Sequence, residues 1–244
     1  MTNKYMYFIA NWKMYGSLSS LNSLNKVIKF TKKYKRKKFK LIYCPPYTLL
    51  DSFSKKIKRS RIELGAQNCH FEISSGPFTG SISPSMLKRI GSNYVIIGHS
   101  ENRSIGESDF QINKKIKSSI KSGLKIIFCI GETLTQKKNK MTNKILKGLF
   151  KIKNLNKILV AYEPVWSIGT GVIPKSKELE INVSKIRKLL SKITKYKLPI
   201  LYGGSVSSKN INSLKNISGI NGFLVGSASH SSKKFIDIIK KTIN

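Results

Sequence analysis

Hydrophobic positions along the chain fall into two alternating kinds of segment. Short runs rich in β-branched and aromatic residues occur at YMYFIAN (5–11), FKLIYC (39–44), RIELGAQ (61–67) and NYVIIGH (93–99). Four more follow at LKIIFCIG (124–131), KILVAYE (157–163), PILYGG (199–204) and NGFLVGS (221–227). Apolar character is nearly continuous in these runs, which predicts strands buried on both faces, as in a parallel sheet covered by helices. The segments between them have helical spacing instead. Leu179, Val183, Ile186, Leu190 and Ile193 recur at alternating steps of four and three, with Lys185, Lys188 and Lys192 off the stripe. Ile112, Ile116 and Ile120 repeat at steps of four, and Phe235, Ile238 and Ile239 line the last helix. Pro174 and Ser176, followed by Glu178 and Glu180, mark a helix start.

Eight strand-then-helix units predict an α/β chain folded as a (β/α)8 barrel. The alternative is an open doubly wound sheet, whose usual GxGxxG fingerprint is missing after the first strand; that strand ends in NWKM. No Pro/Gly/Ser-rich linker interrupts the chain, so residues 1–244 are expected to form one domain. The longest loop beside a strand is NCHFEISSGPFTGSISP (68–84), a length often tied to function.

A hydrophobic content of 40% in 244 residues supports a sizeable core. No apolar stretch approaches the ~18 residues of a membrane span, and no membrane partner is expected. The start of the chain is apolar only from Tyr5 to Ala10, too short for a secretory signal core. Cys44, Cys69 and Cys129 are odd in number and lack metal-type spacing, which fits free thiols in a reducing cytoplasm. Charge changes the picture most: 46 Lys and Arg against 11 Asp and Glu give a formal +35. One reading is a nucleic-acid or anionic-surface binder. The other, preferred here, is free use of Lys on solvated faces, because Lys is spread over nearly every helix. Only KKYKRKKFK (32–40) forms a dense run, and RNA-recognition aromatic motifs are missing, so nucleic acid is not expected as a partner.

Active sites of (β/α)8 barrels lie at the C-terminal ends of the strands. Here those ends carry Asn11 and Lys13, His99, Glu163, Gly203-Gly204-Ser205 and Gly226-Ser227. Alone, each has an ordinary explanation: a solvated lysine, a core histidine, a glutamate paired to a barrel arginine, two helix-opening turns. Together they place a cation, an imidazole, a carboxylate and two glycine-rich turns on one rim.

The segments NWKM (11–14), GHSENR (98–103), AYEPVWSIGTG (161–171), YGGSV (202–206) and GFLVGSAS (222–229) resemble the signatures of the triosephosphate isomerase family, in order and spacing. The resemblance implies interconversion of dihydroxyacetone phosphate and glyceraldehyde 3-phosphate through an enediolate, in glycolysis and gluconeogenesis, with no cofactor and no metal. By motif position Glu163 resembles the base, a desolvated carboxylate being a stronger base than a hydrated one. His99 resembles the neutral electrophile, with Ser100 expected to cap a short helix whose N-terminus disfavours imidazolium; the family is a standard example of such tuning. Lys13 supplies fixed positive charge and Asn11 a hydrogen bond. Glu101 is the acid beside Lys13, and a buried pair of the two is expected. Backbone N–H groups of Gly169, Thr170 and Gly171, of Ser205, and of Gly226 and Ser227 would surround the phosphate. Pro164, Val165 and Trp166 resemble the first hinge of a lid extending to Pro174.

This sequence departs from the family pattern at the distal hinge, Val172-Ile173-Pro174, where proline stiffens the chain. Asn102 stands at a position commonly Arg, and Ser227 replaces a frequent glycine. Asn221 stands where an acid commonly pairs with the arginine matched by Arg187, so that salt bridge is expected to be absent. The third loop, with Thr79 near its tip, resembles the arm that reaches a neighbouring subunit, which implies a homodimer. The rivals are another phosphate-binding (β/α)8 enzyme and a basic binding protein on a barrel scaffold.

Overall fold

The computed structural model describes residues 5–35, 37–132, 143–167, 170 and 173–244. Eight parallel strands, β1 (Met6–Asn11), β2 (Phe39–Cys44), β3 (Ile62–Ala66), β4 (Tyr94–Ile97), β5 (Lys125–Glu132), β6 (Ile158–Pro164), β7 (Ile200–Tyr202) and β8 (Gly222–Val225), form a closed barrel in sequence order. Closure is made by β8 pairing with β1, Phe8 opposite Phe223 and Ala10 opposite Val225. Among the described residues the helices are α1 (Leu21–Lys33), α2 (Leu50–Ile57), α3 (Pro84–Arg89), α4 (Ser100–Ser104), α5 (Asp109–Lys121), α6 (Ser176–Ser191), α7 (Ile211–Leu214) and α8 (Ser232–Ile243). No described helix is long and apolar enough to cross a membrane.

The barrel explains why the strand sequences do not alternate. Ile9, Ile42, Ile96, Ile127, Leu159, Leu201 and Leu224 point inward and fill the barrel. Their neighbours Phe8, Leu41, Val95, Ile126, Val160, Ile200 and Phe223 point outward into a second apolar layer shared with the helices. Both faces of each strand are therefore buried, and both select apolar residues.

The helix stripes lie against that outer layer. Ile112, Ile116 and Ile120 on α5, Leu179, Val183, Ile186 and Leu190 on α6, and Phe235, Ile238 and Ile239 on α8 are all buried. Ile193 departs from the expected stripe: α6 stops at Ser191, and Ile193 is 45% exposed beyond it. Lys175 occupies the N-cap of α6 in extended geometry without a side-chain cap bond, and Glu178 sits in the first turn, where a negative charge suits the helix dipole.

Arg187 on α6 makes no salt bridge with position 221, as expected. Its guanidinium donates to the carbonyls of Leu198 (2.5 Å) and Gly219 (3.1 Å) and to Asn221 Oδ1 (3.4 Å). Asn221 Oδ1 also accepts the Ile200 N–H at 3.0 Å, so this neutral side chain ties α6 to the start of β7.

The loop before α3 has organisation of its own. His70 stacks on Phe71 (4.2 Å between ring centroids) and leans on Phe78 (4.4 Å), while its N–H bonds the Ile82 carbonyl. Ser83 caps α3 by accepting the Met86 N–H. The tip containing Thr79 is exposed, and Phe78 beside it is 40% exposed.

Candidate active site

The mouth at the C-terminal ends of the strands holds a cleft of about 920 Å³. Asn11, Lys13, His99, Glu101, Glu163, Ser205, Gly226 and Ser227 all line it. Thr79 does not: it stands on the exposed arm. Thr170 is exposed, and Gly169 and Gly171 lie outside the described residues, as does Val172 of the expected distal hinge.

Each side chain is brought in by a local device. At the end of β1, Asn11 is buried and its Oδ1 accepts the Lys13 N–H at 3.1 Å. Lys13 has φ of 55°, a left-handed conformation that a non-glycine residue adopts at a cost of roughly 1–3 kcal/mol. Gln67, after β3, holds it there, donating through Nε2 to the Lys13 carbonyl (2.8 Å) and the Cys44 carbonyl (2.9 Å). This bracing role of Gln67 has no sequence signal.

After β4, Gly98 turns the chain at φ of 75°, and Arg103 Nε donates to its carbonyl at 2.8 Å. The cap of α4 differs from expectation: His99, not Ser100, is the N-cap, and its Nδ1 accepts the Glu101 N–H at 3.2 Å. An N–H donor aimed at Nδ1 requires a lone pair there, which places the proton of a neutral ring on Nε2. The helix start thus selects the tautomer through a hydrogen bond.

Glu163, near the end of β6, is 1% exposed. Its Oε1 lies 3.1 Å from His99 Nε2, and its Oε2 accepts the Ser100 N–H at 3.2 Å. Oε1 has no hydrogen bond of good geometry, so one carboxylate oxygen remains poised in the cleft. The barrel arginine that could have claimed this carboxylate, Arg103, pairs with Asp109 at 2.8 Å instead.

Two glycines make room for Glu163, and neither was expected to bear on it directly. A Cβ at Gly131, its neighbour across the β5–β6 ladder, would meet the Glu163 carbonyl oxygen at 2.2 Å. A Cβ at Gly203 would meet Glu163 Cγ at 2.9 Å. Cys129 lies beneath the carboxylate; burial first, and then the Glu163 charge, push its thiol well above the usual range, so it stays protonated.

Lys13 Nζ and Glu101 Oε1 are 2.5 Å apart, as the family resemblance implies. The pair is not buried, however: the side chains are 26% and 55% exposed, because Glu101 lines the open part of the cleft. Water therefore screens the pair and weakens it.

At the opposite end of the cleft, Ser205 Oγ donates to the Ser167 carbonyl at 2.6 Å, linking the loop after β7 to the residues that follow β6. Gly226 and the short turn Ser227–His230 close the other side, with Ser229 N and Oγ both donating to the Gly226 carbonyl. The only positive-φ non-glycine residues described are Lys13, Lys151 and Asn154, so Ser227 carries its Cβ without left-handed strain.

A buried carboxylate against an imidazole, an ammonium at one end and glycine-rich turns at the other define a (β/α)8 enzyme built for proton transfer on a small anion. The family model described as triosephosphate isomerase matches residues 6–242. A triosephosphate isomerase of Thermodesulfovibrio yellowstonii is 41% identical, over 96% of this chain and 98% of the relative. One from Dictyoglomus thermophilum is also 41% identical, over 95% and 97% of the two chains. The crystal structure of triosephosphate isomerase from Bartonella henselae superposes with a TM-score of 0.86 at 33% identity, covering 97% of this chain and 98% of the other. The chain belongs to the triosephosphate isomerase family, and it is an isomerase. Nothing in these comparisons supports a basic binding protein on a barrel scaffold.

Proposed function

We propose that this isomerase interconverts dihydroxyacetone phosphate and D-glyceraldehyde 3-phosphate with Glu163 as the base and neutral His99 as the electrophile. The observation that carries the assignment is the 3.1 Å approach of Glu163 Oε1 to His99 Nε2 in a nearly water-free corner of the cleft. A substrate entering there separates the two groups, so that Oε1 meets its carbon and the Nε2 proton faces its oxygens. Glu163 removes a proton from the carbon next to the carbonyl, and the electrons move to the carbonyl oxygen. His99 donates its Nε2 hydrogen bond to that oxygen, and Lys13 balances the charge that develops on it. The hydroxyl on the deprotonated carbon passes its proton to the former carbonyl oxygen by way of His99 Nε2, and Glu163 delivers its proton to the former carbonyl carbon, which completes the isomerisation. Asn11 orients the substrate and holds the Lys13 backbone.

The phosphate fits the other end, against the backbone of Ser205, Gly226 and Ser227, with Gly169, Thr170 and Gly171 brought over it by the lid. Glycine permits the close backbone approach that a phosphate needs. Lid closure would exclude water and protect the enediolate from losing phosphate. Pro174 is buried, which favours a stiff distal hinge.

The natural test is coupled turnover of glyceraldehyde 3-phosphate by wild type and Glu163→Asp. Retracting the carboxylate by one methylene, roughly 1 Å or more, should lower kcat by about 10²-fold or more with KM little changed. Turnover equal to wild type would remove Glu163 from the role.

The assembly we infer is a homodimer. Met14, Tyr15 and Leu18 form an exposed apolar group beside the site, at 93%, 62% and 67% exposure, and the Thr79 arm offers the matching projection. Sedimentation at physiological salt checks this; a monomer mass independent of concentration would reject it. The reading as one domain rests on the β1–β8 closure, and a cytoplasmic setting on three free, buried cysteines.

A further inference from the structure

The cleft extends past the position assigned to the phosphate. Beyond Ser205, Gly226 and Ser227 it continues as a lobe between the loop after β7 and the start of α8, lined by Ser207, Ser208, Lys209, His230 and Lys234. A three-carbon ester held between Glu163 and Ser205 leaves that lobe unused. Cavities of this total size, about 920 Å³, hold ligands far larger than a triose.

Both walls of the lobe are braced in advance. On one side the Ser207 N–H donates to Asn210 Oδ1 (2.8 Å), Asn210 Nδ2 to the Ser205 carbonyl (3.1 Å), and Lys241 Nζ to the Ser208 carbonyl (3.0 Å). On the other, His230 Nε2 bonds the Trp12 carbonyl at 3.0 Å, which fixes its ring. The charges around the lobe are one-sided. Glu101 is committed to Lys13, Glu163 to His99 and Ser100, and Asp237 on α8 to Lys241. Among the described residues Lys209 and Lys234 have no acidic partner.

We propose that this lobe accepts a second phosphate group joined to the first, so that diphosphates bind across the substrate's phosphate position and compete with it. The inference rests on the phosphate placement given above. Of the two phosphates, one takes the backbone cradle at Ser205 and Gly226, and the other lies between the Lys209 and Lys234 ammonium groups. The carbon end of the cleft, at Glu163, stays empty in that complex.

The test compares competitive inhibition by inorganic pyrophosphate and orthophosphate at fixed ionic strength without divalent metal, in wild type and in Lys209→Gln/Lys234→Gln. The control is Lys185→Gln/Lys188→Gln, an equal charge change on the outer face of α6. Pyrophosphate should bind the wild type about tenfold or more tighter than orthophosphate, two solvent-exposed lysine contacts accounting for about that factor. The lobe variant should lose most of this ratio while kcat and the orthophosphate constant stay as in wild type, and the control should keep it. Inhibition by ADP with the same lysine dependence would assign the lobe to substituted diphosphates; no inhibition by ADP would assign it to pyrophosphate itself. A ratio that falls no further in the lobe variant than in the control overturns the second-phosphate site but leaves the isomerase reading intact. Orthophosphate that does not compete with triose phosphate would overturn the phosphate placement, and the lobe with it.

Discussion

Gly203→Ala adds one methyl group and removes no functional group, yet it should slow the reaction. The added carbon would stand 2.9 Å from Glu163 Cγ, against the 3.4 Å at which ordinary contact begins, so something must yield by about half an ångström. Glu163 has little freedom to yield, held between the Ser100 N–H at 3.2 Å and His99 Nε2 at 3.1 Å. Gly203 is no freer, because its N–H donates to the Tyr162 carbonyl at 2.8 Å. Gly203 does not have a positive φ, so alanine brings no backbone strain and the effect isolates the contact. A 1 Å misplacement of a catalytic group costs about 10²-fold, so half of that should lower kcat by roughly tenfold, or ~1.4 kcal/mol in the barrier. KM should stay within about twofold, since the phosphate cradle at Ser205 and Gly226 is not touched. Coupled assay of kcat and KM in both directions, with thermal unfolding as a control on folding, reads the outcome. A kcat within twofold of wild type would refute the idea that Glu163 is held to sub-ångström tolerance by an absent side chain.

Asn221→Asp should restore a charge partner for Arg187, whose guanidinium is disfavoured by burial, while keeping the acceptor for the Ile200 N–H. A partly exposed pair of this kind is worth about 1 kcal/mol, or about 2–4 °C in Tm; the gain should be present at neutral pH and vanish as pH falls through the new carboxylate's lowered pKa. A lower Tm at pH 7 would contradict it. Phe235→Ala empties a fully buried site whose ring meets Tyr43 edge-on at 5.7 Å, and should cost about 3–5 kcal/mol in urea unfolding with kcat unchanged in the folded fraction. Burial pushes the Cys69 thiol up to about 11, partly offset by its bond to Ser119, so folding favours the protonated form. That stability is fully present below about pH 9 and declines as pH rises toward 11; alkylation at pH 8 should accordingly be slow until the protein is unfolded, and fast labelling of the native chain would refute the burial argument.

The order of strands and helices was legible from the chain because each element answers to a local rule. A strand buried on both faces shows as a continuous apolar run, and a helix lying on a barrel shows as a stripe at steps of three and four. Ile193 marks the limit of such rules: its spacing continues the α6 stripe, but the helix ends two residues earlier and leaves it in solvent. Asn11, Lys13, His99 and Glu163 were likewise readable as strand-end residues, since in a (β/α)8 barrel every strand ends at the same mouth.

Closure of the barrel decided the rest. The position of Lys13 depends on Gln67 from the loop after β3, and the cleft around Glu163 depends on side chains that Gly131 and Gly203 do not have. The cap of α4 came from the His99 ring rather than the Ser100 hydroxyl, and the Lys13–Glu101 pair proved solvent-exposed because α4 sets Glu101 in the open part of the cleft. Apart from that cap, these are contacts between residues tens of positions apart, governed by distances of a few tenths of an ångström. Local sequence patterns carry the period of an element but not its distance to a neighbour; only the packed barrel fixes that distance, and with it the chemistry at the mouth.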